Sequence, residues 1–365
     1  MFRPVFILFL TLIFNLAHGG QSDSLKTLGV EGSVHYGFLI AHHPKMVHLQ
    51  TGNVKGMELE FSKKMNGSKP WNHYFNFPTQ GISIGYWSLA NENYLGNIIA
   101  VVPYIDFPLF SGSKVQLNFK FGVGLGYVSK TFDAKENYKN NAIGSHFNGN
   151  ILLHPTLVFP IGKNLIFKTG PAVTHFSNAS VAVPNLGLNL MTWKGTIKYQ
   201  LGNYKPKSAR EIVPFTKNTW WFIYATGSIK EIYPPEGPKY WAMTIGAERM
   251  KRFSPKSAWG FGADYFYDES MHQKFDERDI ETSSKLDASR LGVKLGYELL
   301  LDRVSLIFNT GFYLYSKLNN DGRIYSRIGM RYHLSNRFSG VLQLKTHFGK
   351  ADFMEVGLGY RINRK

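Results

Sequence analysis

Alternating apolar and polar residues recur along nearly the whole chain, and this pattern constrains the fold more than any other feature of the sequence. A period of two is that of a β-strand, because successive side chains point to opposite faces. Met191 and Trp193, for example, alternate with polar neighbours in the stretch MTWKG. We count about sixteen such segments. The sequence therefore predicts an all-β protein with antiparallel strands.

The predicted strands fall into two groups of eight, separated by a polar gap at 202–217. Longer loops, such as 132–145 and 269–283, alternate with short turns, as in outer-membrane barrels with short periplasmic turns. The predicted strands cover 28–42, 54–65, 80–91, 95–110, 114–131, 146–161, 164–178, 186–201, 218–230, 238–252, 256–268, 284–301, 303–318, 322–334, 337–348 and 352–363.

The composition places these strands in a membrane. Aromatic residues make up 15% of the chain, and glycine (36) and tyrosine (20) are abundant. Residues 1–20 combine Arg3, an apolar run and a small-residue end, which is typical of a secretory signal peptide. No later stretch is long and apolar enough for a membrane helix. These features together are typical of a transmembrane β-barrel in the cell outer membrane.

We predict that the strands form one closed, antiparallel, up-and-down transmembrane barrel of about sixteen strands, because an open sheet edge in lipid leaves backbone groups unpaired. An eight-stranded barrel followed by a second β-barrel or sheet is the alternative. The absence of cysteine excludes disulfides and a thiol nucleophile. The sequence suggests no cofactor and no metal centre.

Two interpretations fit the net charge of +17. The lysines and arginines are scattered among the strands without a basic tract, so we do not expect nucleic acid as a partner. The positive charge either attracts the protein to an anionic lipid surface or only solvates the loops.

The segment His175-x-Ser177-Asn178 holds the residues best suited to chemistry. Two positions apart on a strand, His175 and Ser177 share a face, and that face also carries apolar side chains. A histidine two residues away can take the proton of a serine nucleophile. Asn189, on the same face of the next strand, would orient the histidine. Asn178 and the backbone near Ser180 would donate to an oxyanion.

The same polar residues are also compatible with a purely structural role. Histidine, serine and asparagine are common in a polar collar at the membrane boundary. His42, His43 and His48 lie together in the first long loop, where they are either a surface cation site or ordinary loop histidines.

The stretch HFSNASVAVPNLGLN resembles the signature of the outer-membrane lipid A 3-O-deacylase family, also called acyloxyacyl hydrolase-like proteins. The resemblance covers about 28–204, and its specificity comes mainly from 174–189. It implies an eight-stranded barrel with His-x-Ser-Asn on the seventh strand, and these residues fall on His175, Ser177 and Asn178. The family's following Pro-Asn-x-Gly falls on Pro184, Asn185 and Gly187.

Two positions depart from the family pattern. The glutamate that completes the family's triad is Asn189 here, and the glycine whose N–H serves the oxyanion hole is Ser180. On this basis 21–204 is a deacylase-like barrel half, and 205–365 supplies additional strands that complete the barrel.

The resemblance implies a serine esterase that removes an ester-linked acyl chain from lipid A at the lipid-facing surface of the barrel. Its partners would be lipid A or lipopolysaccharide and outer-membrane lipid. The alternatives are a non-catalytic channel, for which a sixteen-stranded lumen is wide enough, and a lipopolysaccharide-binding barrel.

Overall fold

The computed structural model describes residues 27–112, 114–202, 214–319 and 321–363, so the predicted signal peptide at 1–20 lies outside the described residues. Sixteen strands run through them. They are β1 (Leu28–Leu39), β2 (Asn53–Lys64), β3 (Thr79–Ser88), β4 (Asn97–Ser111), β5 (Gln116–Val128), β6 (Phe147–Pro160), β7 (Leu165–Ser177), β8 (Leu188–Gln200), β9 (Thr219–Glu231), β10 (Lys239–Arg252), β11 (Ser257–Asp268), β12 (Ser289–Leu301), β13 (Val304–Ser316), β14 (Ile324–His333), β15 (Phe338–His347) and β16 (Lys350–Asn363).

The strands close into two barrels of eight, so the prediction of one barrel of about sixteen strands was wrong and the two-barrel alternative is confirmed. β1 pairs antiparallel with β8, with Gly29 opposite Gln200 and Leu39 opposite Leu190. β9 pairs in the same way with β16. The strands after the polar gap therefore close a barrel of their own and do not complete the first one. Two closed barrels remove every sheet edge as effectively as one does.

The described residues divide into two compact units, one containing β1–β8 and the other β9–β16; the short segment 179–183 is grouped with the second unit. Helical structure is limited to short pieces. These are the α-helices Pro70–Tyr74 and Ser270–Asp276 and the 3₁₀ helices Pro44–Leu49 and Lys285–Ala288. Over the described ranges, every helix is too short or too polar to cross a membrane.

Charged side chains fill the interior of each barrel. In the first, the Lys168 ammonium lies 2.8 Å from the Glu31 carboxylate, and Lys194 lies 2.6 Å from Glu60. In the second, Asp264 contacts both Arg327, at 2.9 Å, and Lys294, at 3.1 Å. An eight-stranded barrel is just wide enough for its own inward side chains. Neither barrel therefore provides the sixteen-stranded lumen on which the channel alternative was based.

An apolar cluster lies at the end of the first barrel where β7 and β8 meet. It includes Phe176 on β7 and Leu188 and Leu190 on β8, together with Met46 and Leu49 from the 3₁₀ helix after β1. All five side chains are essentially inaccessible to solvent. Because β7 and β8 meet at this end, the cluster fixes the backbone of the hairpin that carries His175 and Ser177.

Candidate active site

The side chains of β7 alternate strictly between the two faces of the first barrel. Thr174 and Phe176 point inward and are buried, whereas His175 and Ser177 point outward and are half-buried. The Phe176 ring packs edge-on against Trp87, with ring centroids 6.1 Å apart. The inward ring thus anchors the strand between the two outward polar residues, which lie about 7 Å apart along the strand.

His175 and Asn189 are direct cross-strand partners in the β7–β8 ladder. The Nδ1 atom of His175 lies 2.6 Å from the Oδ1 atom of Asn189. Asn189 is half-buried and shares the outward face of β8 with Met191 and Trp193. The amide of Asn189 is therefore placed to orient the imidazole.

A second histidine joins this arrangement from the loop after β1. The Asn189 Nδ2 atom lies 2.9 Å from Nδ1 of His42, and Nε2 of His42 lies 2.9 Å from the carbonyl oxygen of Leu186. The hydrogen bonds thus run from the Leu186 carbonyl through His42 and Asn189 to His175.

Ser177 is hydrogen-bonded to the side chain of Asn185, in the turn between β7 and β8. The Asn185 Nδ2 group donates to the Ser177 hydroxyl oxygen at 3.0 Å, and the Asn185 Oδ1 atom accepts from that hydroxyl at 3.2 Å. Oδ1 also accepts from the backbone N–H of Asn178 at 3.1 Å. These bonds to Asn178 and Ser177 hold the side-chain N–H of Asn185 beside Ser177, the candidate nucleophile.

The two residues that the sequence predicts as oxyanion donors, Asn178 and Ser180, lie in the turn that follows Ser177. The Asn178 side chain donates to the Ser145 hydroxyl at 2.9 Å. Ser180 follows Asn178 in the turn, is half-buried and has a backbone φ of 66°. Among these asparagines, it is Asn185 whose side chain the structure places against Ser177.

The turn depends on a glycine beside the histidine. Gly187 has a φ of 81°, in the left-handed region that favours glycine, and its N–H donates to the Ala142 carbonyl at 2.9 Å. A Cβ atom at this position would lie 2.9 Å from Cε1 of His175. Any larger residue would therefore strain the backbone and push against the imidazole.

The sequence predicts His175 as the general base of an esterase, so a Gly187→Ala variant should lower the rate of that predicted ester cleavage about tenfold, because a small displacement of a catalytic group is costly. The barrel should still form, since the strand ladders are untouched. The measurement is the initial rate of ester cleavage in detergent micelles, with folding checked by heat-modified gel mobility. Gly195→Ala on β8 is the matched control, because a Cβ there meets nothing closer than 4.0 Å. Equal rates for the two variants would contradict this role of Gly187.

The outward surface around the site is apolar and aromatic. Trp193 is 59% exposed and lies opposite Tyr36 of β1, while Met191 lies opposite Phe38. Exposed side chains of this kind on a barrel suit contact with hydrocarbon. The polar network therefore borders a surface on which acyl chains can lie.

The sequence did not predict the hydrogen bonds that Asn185 makes with Ser177 and that His42 makes with Asn189. Asn185 lies in an irregular turn, where side-chain periodicity gives no direction. His42 was grouped with His43 and His48 as a possible cation site, but each of the three has a hydrogen-bonding partner within the protein. The described part of the chain contains no group of three or more acidic or histidine side chains placed to hold a metal ion.

Two protein-family models match successive parts of the chain. The model described as lipid A 3-O-deacylase (PagL) matches residues 55–194, which include His175, Ser177 and Asn189. The model described as acyloxyacyl hydrolase, C-terminal domain, matches residues 218–364, which include all of β9–β16. Together the two matches cover most of the chain. No curated protein is significantly similar to it in sequence.

Among solved structures, the outer-membrane enzyme PagL is 18% identical and covers 46% of this chain and 97% of its own, with a TM-score of 0.32. Neisserial surface protein A is 8% identical and covers 47% and 96%, with a TM-score of 0.33. A porin from Rhodopseudomonas blastica is 8% identical and covers 92% and 99%, with a TM-score of 0.18.

Proposed function

The chain belongs to the lipid A 3-O-deacylase family, and we propose that its first barrel is a serine esterase with Ser177 as nucleophile and His175 as general base. Membership of this family makes the chain an outer-membrane hydrolase that acts on an ester bond of lipid A. The observation that supports the serine mechanism best is the pair of hydrogen bonds that hold His175 and Ser177. His175 is held by Asn189 on one side, and Ser177 is held by Asn185 on the other.

In the first step the Ser177 oxygen attacks the acyl carbonyl carbon, and Nε2 of His175 takes the hydroxyl proton. The carbonyl electrons move onto oxygen, and the Asn185 N–H donates to this oxyanion. Collapse of the intermediate breaks the bond between the acyl carbon and the lipid A oxygen. His175 returns its proton to that oxygen, which leaves as a hydroxyl, and the acyl chain remains as an ester of Ser177.

In the second step water attacks the acyl ester and gives a proton to His175. The bond to the Ser177 oxygen then breaks, Ser177 regains the proton, and the chain leaves as a fatty acid. Asn189 acts through His175 in both steps. An amide oxygen orients the ring as a carboxylate does, but it stabilises the imidazolium less because it carries no charge.

The position of the network supports cleavage at the lipid-facing surface. His175, Ser177 and Asn189 all point away from the filled interior of the barrel, and their neighbours Val173 and Met191 share that outward face. A lipid that lies against this face can present its ester to Ser177 without leaving the membrane. Its acyl chains would remain beside apolar side chains.

The test is to incubate the purified, folded protein with lipid A in detergent micelles and to measure the mass of the lipid. The proposal expects the loss of one acyl chain and the appearance of the matching free fatty acid. Unchanged lipid A from a folded barrel would overturn it. Binding of lipopolysaccharide without cleavage, or conductance in planar bilayers, would then favour one of the two non-catalytic alternatives.

An Asn189→Glu variant should cleave lipid A about tenfold faster, equivalent to about 1.4 kcal/mol of transition-state stabilisation. A carboxylate opposite His175 would stabilise the imidazolium that forms as Ser177 attacks. It would also make the barrel slightly less stable, because a charge on the outward face is costly, although less so near the membrane boundary. The measurement is single-turnover hydrolysis in micelles.

Asn189→Gln is the matched control for that experiment, because glutamine has the length of glutamate without its charge. We expect the glutamine variant to be no faster than the parent protein. A folded glutamate variant with a lower rate would show that Asn189 has a role that a carboxylate cannot take over. Equal acceleration by both variants would assign the gain to side-chain length.

A further inference from the structure

We propose that His42 is a positioning residue, which sets the orientation of the Asn189 amide and thereby selects the reactive tautomer of His175. This inference rests on the proposed function, in which His175 is the general base. Such a residue is needed because position 189 carries an amide, which can face His175 in two orientations. A carboxylate presents two equivalent acceptor oxygens to a histidine, whereas an amide has one acceptor end and one donor end.

The orientation of the amide decides whether His175 can act. With Oδ1 toward the ring, Nδ1 of His175 must carry the proton, and Nε2 is the free base. With the NH₂ group toward the ring, Nδ1 would have to accept and Nε2 would carry the proton. In that second state His175 has no lone pair to offer Ser177. Some other group must therefore fix the amide.

His42 supplies that constraint through the Leu186 carbonyl. A carbonyl oxygen only accepts, so the Nε2 atom of His42, 2.9 Å away, must be the donor. In a neutral imidazole the other nitrogen is then an acceptor. That atom, Nδ1 of His42, lies 2.9 Å from the Asn189 side-chain nitrogen. The NH₂ group of Asn189 therefore points to His42, and Oδ1 points to His175.

The loop that carries His42 is well placed to hold it. The N–H of Ile40 donates to the Asn189 carbonyl at 2.8 Å, which extends the pairing of β1 with β8 to the edge of the site. Beyond His42, the side chains of Met46 and Leu49 enter the apolar cluster and are fully buried. His42 thus lies between two fixed points, although its own side chain is exposed to solvent.

The first test compares His42→Ala with His42→Asn. Alanine removes the acceptor that faces Asn189, and we expect kcat to fall about tenfold with KM unchanged. Asparagine carries an oxygen near the position of the histidine Nδ1 atom, so it should recover most of that loss. His43→Ala is the control from the same loop, because the His43 side chain caps the 3₁₀ helix Pro44–Leu49, accepting from the Lys45 N–H at 3.2 Å. It should retain the parent rate.

The second test repeats His42→Ala in the Asn189→Glu background. A carboxylate needs no orienting partner, so the alanine substitution should then cost less than about twofold, and the two positions should be non-additive. If His42 served only to stabilise the loop, the loss would be the same in both backgrounds. Equal losses would overturn the proposal.

A third measurement does not depend on turnover. The ¹⁵N NMR shifts of the His175 ring, in the micelle-bound protein, should report a proton on Nδ1 in the parent and a mixture of tautomers in His42→Ala. An unchanged single tautomer would overturn the proposal. The proposed function has a separate test, and it fails if Ser177→Ala cleaves lipid A at the parent rate. The NMR comparison still decides the role of His42 in that case.

Discussion

Replacing Ser177 with alanine should reduce ester cleavage by about 10³-fold or more, because the variant has no oxygen to attack the acyl carbonyl. Such a loss corresponds to at least about 4 kcal/mol of transition-state stabilisation. The fold should be unaffected, since Ser177 is half-buried on the outward face at the end of β7, and its backbone pairing with Gly149 is retained. The measurement is fatty-acid release from lipid A, with folding checked by heat-modified gel mobility.

Ser180→Ala is the matched control for this experiment. Ser180 lies three residues further along the same turn, and only its backbone N–H corresponds to a family donor. We therefore expect that variant to cleave lipid A at close to the parent rate. Parent-like cleavage by a folded Ser177→Ala variant would show that another group is the nucleophile, and equal losses in both variants would point to general damage to the turn.

The strands were predictable from the sequence, whereas their closure was not. Alternation along the chain predicted all sixteen strands, most within about three residues of their ends; β12 begins five residues later than predicted, after the 3₁₀ helix Lys285–Ala288. Alternation reports which face a side chain takes, but it carries no information about which distant edges pair. The β1–β8 and β9–β16 ladders join residues more than a hundred positions apart, so the choice between one barrel and two depends on contacts that local periodicity does not encode.

The site residues on the strands were predictable as well, whereas those in the turn and the loop were not. Parity on β7 placed His175 and Ser177 on one face, and the same argument placed Asn189 outward on β8, where the structure pairs it with His175. Both inferences needed only regular strands. Asn185 and His42 lie in a turn and a loop, where the direction of a side chain depends on particular backbone angles. The left-handed conformation of Gly187 is one such angle, and no periodic pattern predicts it.

The second large effect is expected at Asn185, which we propose as the side-chain donor to the oxyanion. Its Nδ2 group already lies 3.0 Å from the Ser177 oxygen, and the oxyanion forms on the carbon that becomes bonded to that oxygen. Loss of one such donor typically lowers kcat by about 10²- to 10³-fold. An Asn185→Ala variant should show a loss of that size, measured as the single-turnover rate of lipid A cleavage.

Alanine at this position also removes the acceptor for the Asn178 N–H, so a loss of activity in that variant could also arise from the turn itself. Asn185→Asp separates the two effects. Aspartate keeps an oxygen for the Asn178 N–H and for the Ser177 hydroxyl, but it has no N–H to donate and places a negative charge beside the developing oxyanion. We therefore expect the aspartate variant to fold like the parent and to lose at least as much rate as the alanine variant. Asn178→Ala, whose side chain contacts Ser145, should lose far less. A larger loss at Asn178 than at Asn185 would transfer the donor role to Asn178, as the sequence first suggested.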